Sequence, residues 1–172
     1  MGGEIARTSD RDGNDWQVRI ELRPEHCCLD HEETALSRLF WYWQERALLE
    51  DGLPSLETFR PLDTGLPWVE MRAENPMHFI MRDHPAGISG DWNDAPFAEY
   101  PVQMHGQACA LEFLHCKVRR EPTFVNIHQK IRGVERNYEK LSVPLSDRSG
   151  AVTRAVYAFR FVTFPVIHNE AA

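Results

Sequence analysis

Residues 151–164 constrain this chain more than any other stretch, because they read as a strand with no polar side. Val152, Val156, Ala158 and Val162 alternate with Ala155, Tyr157, Phe159 and Phe161, so both faces are apolar. A strand of that kind belongs in the middle of a sheet, with something covering each side. It is the last of three expected strands. Residues 123–132 put Val125, Ile127 and Ile131 on one side and Asn126, His128, Lys130 and Arg132 on the other. Residues 137–145 alternate Leu141, Val143 and Leu145 with Lys140, Ser142 and Pro144. Gly133-Val134-Glu135-Arg136 and Ser146-Asp147-Arg148-Ser149-Gly150 supply the turn chemistry between them. An antiparallel meander follows.

A chain of 172 residues is long enough for one domain with a real core. Its 42% hydrophobic and 10% aromatic content is that of an ordinary globule. No apolar run approaches the length of a membrane span, and the first fifteen residues are too polar for a signal peptide. The expected location is the cytoplasm. A net charge of −7 argues against a nucleic-acid or anionic-membrane surface, since both need a basic face. Four cysteines suggest reduced thiols rather than a disulfide scaffold.

Ahead of the meander, residues 1–15 read as a disordered leader. Residues 16–22 alternate cleanly, as an added edge strand or as an arm reaching a partner chain. A helix is expected over 34–50, where Leu36, Leu39, Phe40, Trp43 and Ala47 recur at steps of three and four, before Gly52 and Pro54. Trp41 and Tyr42 widen its apolar stripe beyond what one side needs. Either this helix closes the open face of the sheet, or it packs on its copy in a second subunit. We expect a homodimer with Leu36, Phe40, Trp41 and Trp43 in the interface. Residues 68–71 and 78–82 are short strands separated by Glu74-Asn75-Pro76. A second helix spans 102–120. Its expected core face carries Met104, Gln107, Ala108, Leu111, Leu114, His115 and Val118; its far side carries Val102, His105, Cys109, Glu112, Phe113 and Cys116.

Few clusters carry recognisable chemistry. His26-Cys27-Cys28-Leu29-Asp30-His31 is a single dense knot whose adjacent cysteines converge poorly on one ion, so a loop is expected there rather than zinc. His105, Cys109 and Cys116 make at best half a metal or redox site and read as packing residues. Gly87-Ile88-Ser89-Gly90 lacks the spacing of a nucleophile elbow. With no paired carboxylates, phosphate loop or convincing Cys-His arrangement, no enzyme is expected. Nothing identifies a cofactor.

Four motifs carry a family resemblance. The run Leu39-Phe40-Trp41-Tyr42-Trp43-Gln44-Glu45-Arg46 comes first, followed by Pro54 with Phe59-Arg60-Pro61-Leu62-Asp63. Then come Phe79-Ile80-Met81-Arg82 and Tyr138-Glu139-Lys140-Leu141-Ser142-Val143-Pro144-Leu145-Ser146. In order and spacing they resemble the bacterial stand-alone PAS-like domain family, over roughly 34–164. The resemblance implies an α+β fold: a five-stranded antiparallel sheet with helices on one face and an N-terminal helix. Residues 1–33 would then be an N-terminal arm and 165–172 a tail. It also implies a sensory or signalling module that binds a small molecule, a protein partner or both, and acts in trans. The family brings no catalytic residues and no common ligand. A ligand would sit between helix and sheet. Gln129 is the first candidate contact, because it lies between Ile127 and Ile131 on the apolar side of its strand; Arg82, Trp92, His105, Arg136 and Tyr138 follow. The rival reading is a dimerisation scaffold without a ligand.

If the histidine and cysteine clusters only pack, protein purified without added metal should contain well under one equivalent of zinc, iron or copper. Stoichiometric metal whose removal unfolds the chain would overturn that expectation.

Overall fold

A computed structural model of the chain describes residues 4–21, 34–59, 66–71, 78–82, 94–100 and 103–166. Its elements are β1 (Glu4–Ser9), β2 (Asp15–Glu21), α1 (Ala35–Leu49), β3 (Trp68–Met71), β4 (Phe79–Arg82), a 3-10 turn at Phe97–Glu99, α2 (Gln103–Arg119), β5 (Thr123–Ile131), β6 (Val134–Ser146) and β7 (Val152–Val166). The seven strands form one antiparallel sheet in the order β1-β2-β5-β6-β7-β3-β4. The meander is its centre, as the doubly apolar β7 requires. Arg132 and Gly133 both take positive φ (50° and 77°), which closes β5 on β6 through a two-residue turn matched to strand twist. At the next turn the Asp147 carboxylate accepts from the amides of Ser149 and Ala151.

The sheet is curled, a half-barrel, and β7 contributes a visible irregularity. Tyr138 pairs with Phe161 and Asn137 with Thr163, so Val162 is left without a partner of its own. An extra residue of this kind bends its strand and increases local twist.

Three expectations are corrected. The sheet has seven strands rather than five, because the N-terminal segment adds a hairpin to the β5 edge. Residues 4–9, expected in a leader, are strand β1, and β2 is therefore an inner strand. The hairpin loop is held by the Asp10 carboxylate, which accepts from the amides of Asp12 and Asn14. The Asn14 side-chain oxygen accepts from the Arg132 amide at 2.8 Å, tying that loop to the β5–β6 turn.

The PAS-like arrangement with helices on one face is the second correction. The helices lie on opposite faces. Leu36, Leu39 and Phe40 of α1 pack with Phe124, Leu141, Val143, Leu145, Val156 and Ala158. Cys109, Phe113 and Cys116 of α2 pack with Trp16, Val18, Val125, Ile127, Ala155 and Tyr157. These are the alternate residues of the same strands, so each apolar face of β7 has its own helix.

The third correction is the facing of α2. Its buried residues include Met104, Ala108, Cys109, Glu112, Phe113 and Cys116, while Leu111 and Val118 of the expected core face are exposed. The side that carries Glu112 is the inner one.

Thr34 caps α1 through a reciprocal pair of hydrogen bonds with Ser37. Gly106 of α2 packs on the 3-10 turn so closely that a Cβ there would lie 2.0 Å from the Phe97 carbonyl oxygen. Gly106→Ala should therefore destabilise the protein, although alanine is intrinsically better in a helix by about 1 kcal/mol. We expect a net loss of roughly 1–3 kcal/mol in urea denaturation, from overpacking against backbone. An unchanged or raised midpoint would show that this close approach does not hold in solution.

Candidate functional site

A strand advances about 6.6 Å for each pair of residues and a helix about 6 Å per four, so one face of each stays in step with the other. Strand β6 and helix α2 use this match. The Cys116 thiol lies 3.8 Å from the Ser142 carbonyl oxygen, in donor geometry. The next inward residues back along each element are Glu112 and Lys140, whose side chains form a buried ion pair. Cys109 lies within electrostatic reach of both Tyr138 and Lys140. Local sequence pattern does not reveal this column. Alternation places Lys140 on the polar side of its strand and periodicity places Glu112 on the far side of its helix, whereas they are 5% and 1% exposed.

The pair lies among rings. The Lys140 ammonium stands 4.2 Å from the centroid of Phe113 and 5.5 Å from that of Tyr157. Burial pushes the Lys140 amine down to about 8, with Cys109 opposing the shift. Burial also pushes the Cys109 and Cys116 thiols up to about 12, which keeps both protonated and inert as nucleophiles near neutrality. Oxygen Oε2 of Glu112 meets Lys140, but Oε1 has no hydrogen-bond partner among the described residues.

Further along the same face, strand pairing sets a row across three strands. Gln129 on β5 is opposite Trp16 on β2 and Arg136 on β6. The buried Trp16 indole N–H and Gln129 side-chain oxygen have no hydrogen-bond partner among the described residues. His105 of α2 lies over this row, its ring 5.2 Å from Trp16 and 5.6 Å from Tyr100. Tyr138 is in the next row, opposite Ile127 and Phe161. Its phenol is held protonated well above the usual range, first by burial and then by nearby Cys109 and Tyr157. Arg136, Tyr138, Phe159 and Phe161 are half-buried, so this end of the half-barrel reaches solvent. Burial lowers the pKa of Arg136, against the pull of Tyr138.

Of the residues singled out from sequence, Gln129, His105, Arg136 and Tyr138 thus come together between α2 and the sheet. Arg82 does not. It is at the far edge, bridging Glu70 and Asp94 at 2.9 and 2.8 Å. Trp92, and the His26–His31 cluster with it, lie outside the described residues. Among the described residues no group of three or more His, Cys, Asp or Glu could hold a metal ion. Leu36 and Phe40 of the expected dimer interface are buried inside the chain. Trp43 donates to the Pro144 carbonyl at 2.8 Å, and Trp41 is 46% exposed.

The opposite face carries an open depression of about 340 Å³ beside the unpaired Val162, lined by Gln17, Asn126, His128 and Asn137 among others. Its imidazole is already engaged, with Asn137 at one nitrogen and Glu135 3.5 Å from the other. Buried atoms without a hydrogen-bond partner among the described residues occur on α1, at Gln44 Oε1 and Arg46 Nε, as well as on the α2 side, where Trp16 and Gln129 are opposite each other on neighbouring strands.

Breaking the buried ion pair from one side should be costly. Lys140→Met leaves the Glu112 carboxylate without its cation and should lower stability by about 3–5 kcal/mol. Glu112→Leu combined with Lys140→Met should recover most of that loss, since no charge then remains buried. Urea denaturation of the three variants checks this; a double variant no more stable than Lys140→Met would count against it.

No protein-family model, curated protein or solved structure matches the chain, so the resemblance to the PAS-like family finds no support there and the chain's role is argued from its own side chains.

Proposed function

We propose that the chain is a small-molecule-binding module, with the ligand between the N-terminal half of α2 and the row Trp16–Gln129–Arg136. One observation carries the reading: a donor and an acceptor, both buried and without a hydrogen-bond partner among the described residues, occupy opposed positions on neighbouring strands. Leaving a buried polar group unsatisfied costs about 1–3 kcal/mol, and a ligand that meets both recovers that cost. The half-buried end formed by Arg136, Tyr138, Phe159 and Phe161 is the way in. Binding there touches α2 directly through His105, so the occupied and empty states differ in what holds that helix. A sensory role, with the change passed to a protein partner, follows as part of this proposal.

The scaffold reading draws on less. Three of its four interface residues on α1 are engaged within the chain, which leaves Trp41 beside the exposed Leu48 and Leu49.

Gln129→Leu separates a ligand-serving amide from one that only braces the fold. Under the proposal the empty variant is at least as stable as the parent and no longer responds to ligand. Thermal denaturation of both proteins, with and without a metabolite library, is the test. A lower melting temperature for the variant, with no compound stabilising the parent, would overturn the proposal.

A further inference from the structure

Resting on that reading, we infer that the ligand is a small organic acid with a hydrogen-bond donor next to its carboxylate, as in a 2-hydroxy or 2-amino acid. The row contains two kinds of group in a fixed order. Arg136 and the Trp16 indole only donate, and Arg136 is permanently charged; the Gln129 side-chain oxygen only accepts. Gln129 is in the middle, with a donor on the strand at each side. Neighbouring strands are about 4.8 Å apart, so the three positions span roughly 10 Å and a molecule of a few heavy atoms can touch them all. The complement of donor–acceptor–donor is an anion whose oxygens face the donors and whose hydroxyl or amino hydrogen faces the amide oxygen.

The charge of the ligand follows from Arg136. Arg7, Arg82, Arg148 and Arg160 each meet a carboxylate at the surface. Lys140, the neighbouring buried cation, has Glu112. Arg136 is half-buried on the same inner face, and no Asp or Glu among the described residues forms an ion pair with it. A partly desolvated guanidinium without a counter-charge is unfavourable, and a carboxylate in fork geometry is what its donors match. Tyr138, within electrostatic reach of Arg136 and protonated, adds a phenolic donor rather than a competing anion.

The test uses the full chain with lactate, malate and serine as acids, lactamide as the charge-free isostere and propionate as the acid without the donor. At ligand concentrations of about 10 mM, which reveal millimolar affinities, the acids should raise the melting temperature in a concentration-dependent manner. Lactamide and propionate should bind at least tenfold more weakly in calorimetry. Arg136→Gln should abolish the response to acids, and Trp16→Phe, which keeps the ring and removes the donor, should weaken it while leaving the fold intact. Binding of lactamide as tight as that of lactate, lost in Gln129→Leu, would overturn the acid assignment and leave the binding-module reading standing. An Arg136→Gln protein that still binds the acids would also overturn the assignment. No response of the folded parent to any of the five compounds would overturn the assignment too; the reading beneath it would then fall only if the wider library also gave nothing.

Discussion

The contact between Glu112 and Lys140 sets the relation between the long helix and the sheet. Two charges almost without water cost several kcal/mol each to bury, and only close mutual contact offsets that cost. The pair therefore tolerates no slippage. Moving α2 by one turn along β6 would leave a bare ammonium against Phe113 and a bare carboxylate against the strands. A shift of β6 by one residue would turn Lys140 to the α1 face, among Leu141, Val143 and their neighbours. Apolar packing alone would permit more than one helix position; the ion pair selects one.

From that fixed point the inner face changes character along the strands. At the Ser142 level the thiol of Cys116 meets a carbonyl, and at the Lys140 level charge meets charge. At the Gln129 level an indole N–H and an amide oxygen have no hydrogen-bond partner, beside an arginine without a carboxylate among the described residues. The ion pair thus lies deep, with Glu112 Oε1 itself left without a hydrogen-bond partner among the described residues, and the opposed Trp16 and Gln129 atoms lie in the row that Arg136 carries toward solvent. A few polar groups converging in a mostly apolar surrounding, beside an end that reaches solvent, are what a binding site requires.

Much of this was legible locally. Side-chain alternation located β5, β6 and β7 and their turns to within a few residues, and period 3.6 located α1 and α2. Gln129 stood out because a polar residue between Ile127 and Ile131 breaks its own strand's pattern. Lys140 and Glu112 could not stand out in the same way. Each looks solvent-facing on its own element, and the partner that makes burial tolerable is 28 positions away. The same limit applies to the facing of α2: its periodicity places Leu111 and Val118 inward with Met104 and Ala108, whereas only the latter two are buried.

The amino-acid sequence by itself thus determined the central meander, helices α1 and α2 and the need to cover both sides of β7. Those follow from short-range periodicity and from the cost of leaving apolar faces in water. Tertiary structure alone decided that the covers come one from each side, that β1 and β2 extend the sheet, and which face of α2 points inward. It also brought Trp16, Gln129 and Arg136 into one row. Each of these depends on pairing between residues far apart in the chain, where strand register and charge complementarity choose among packings that local pattern leaves equally open.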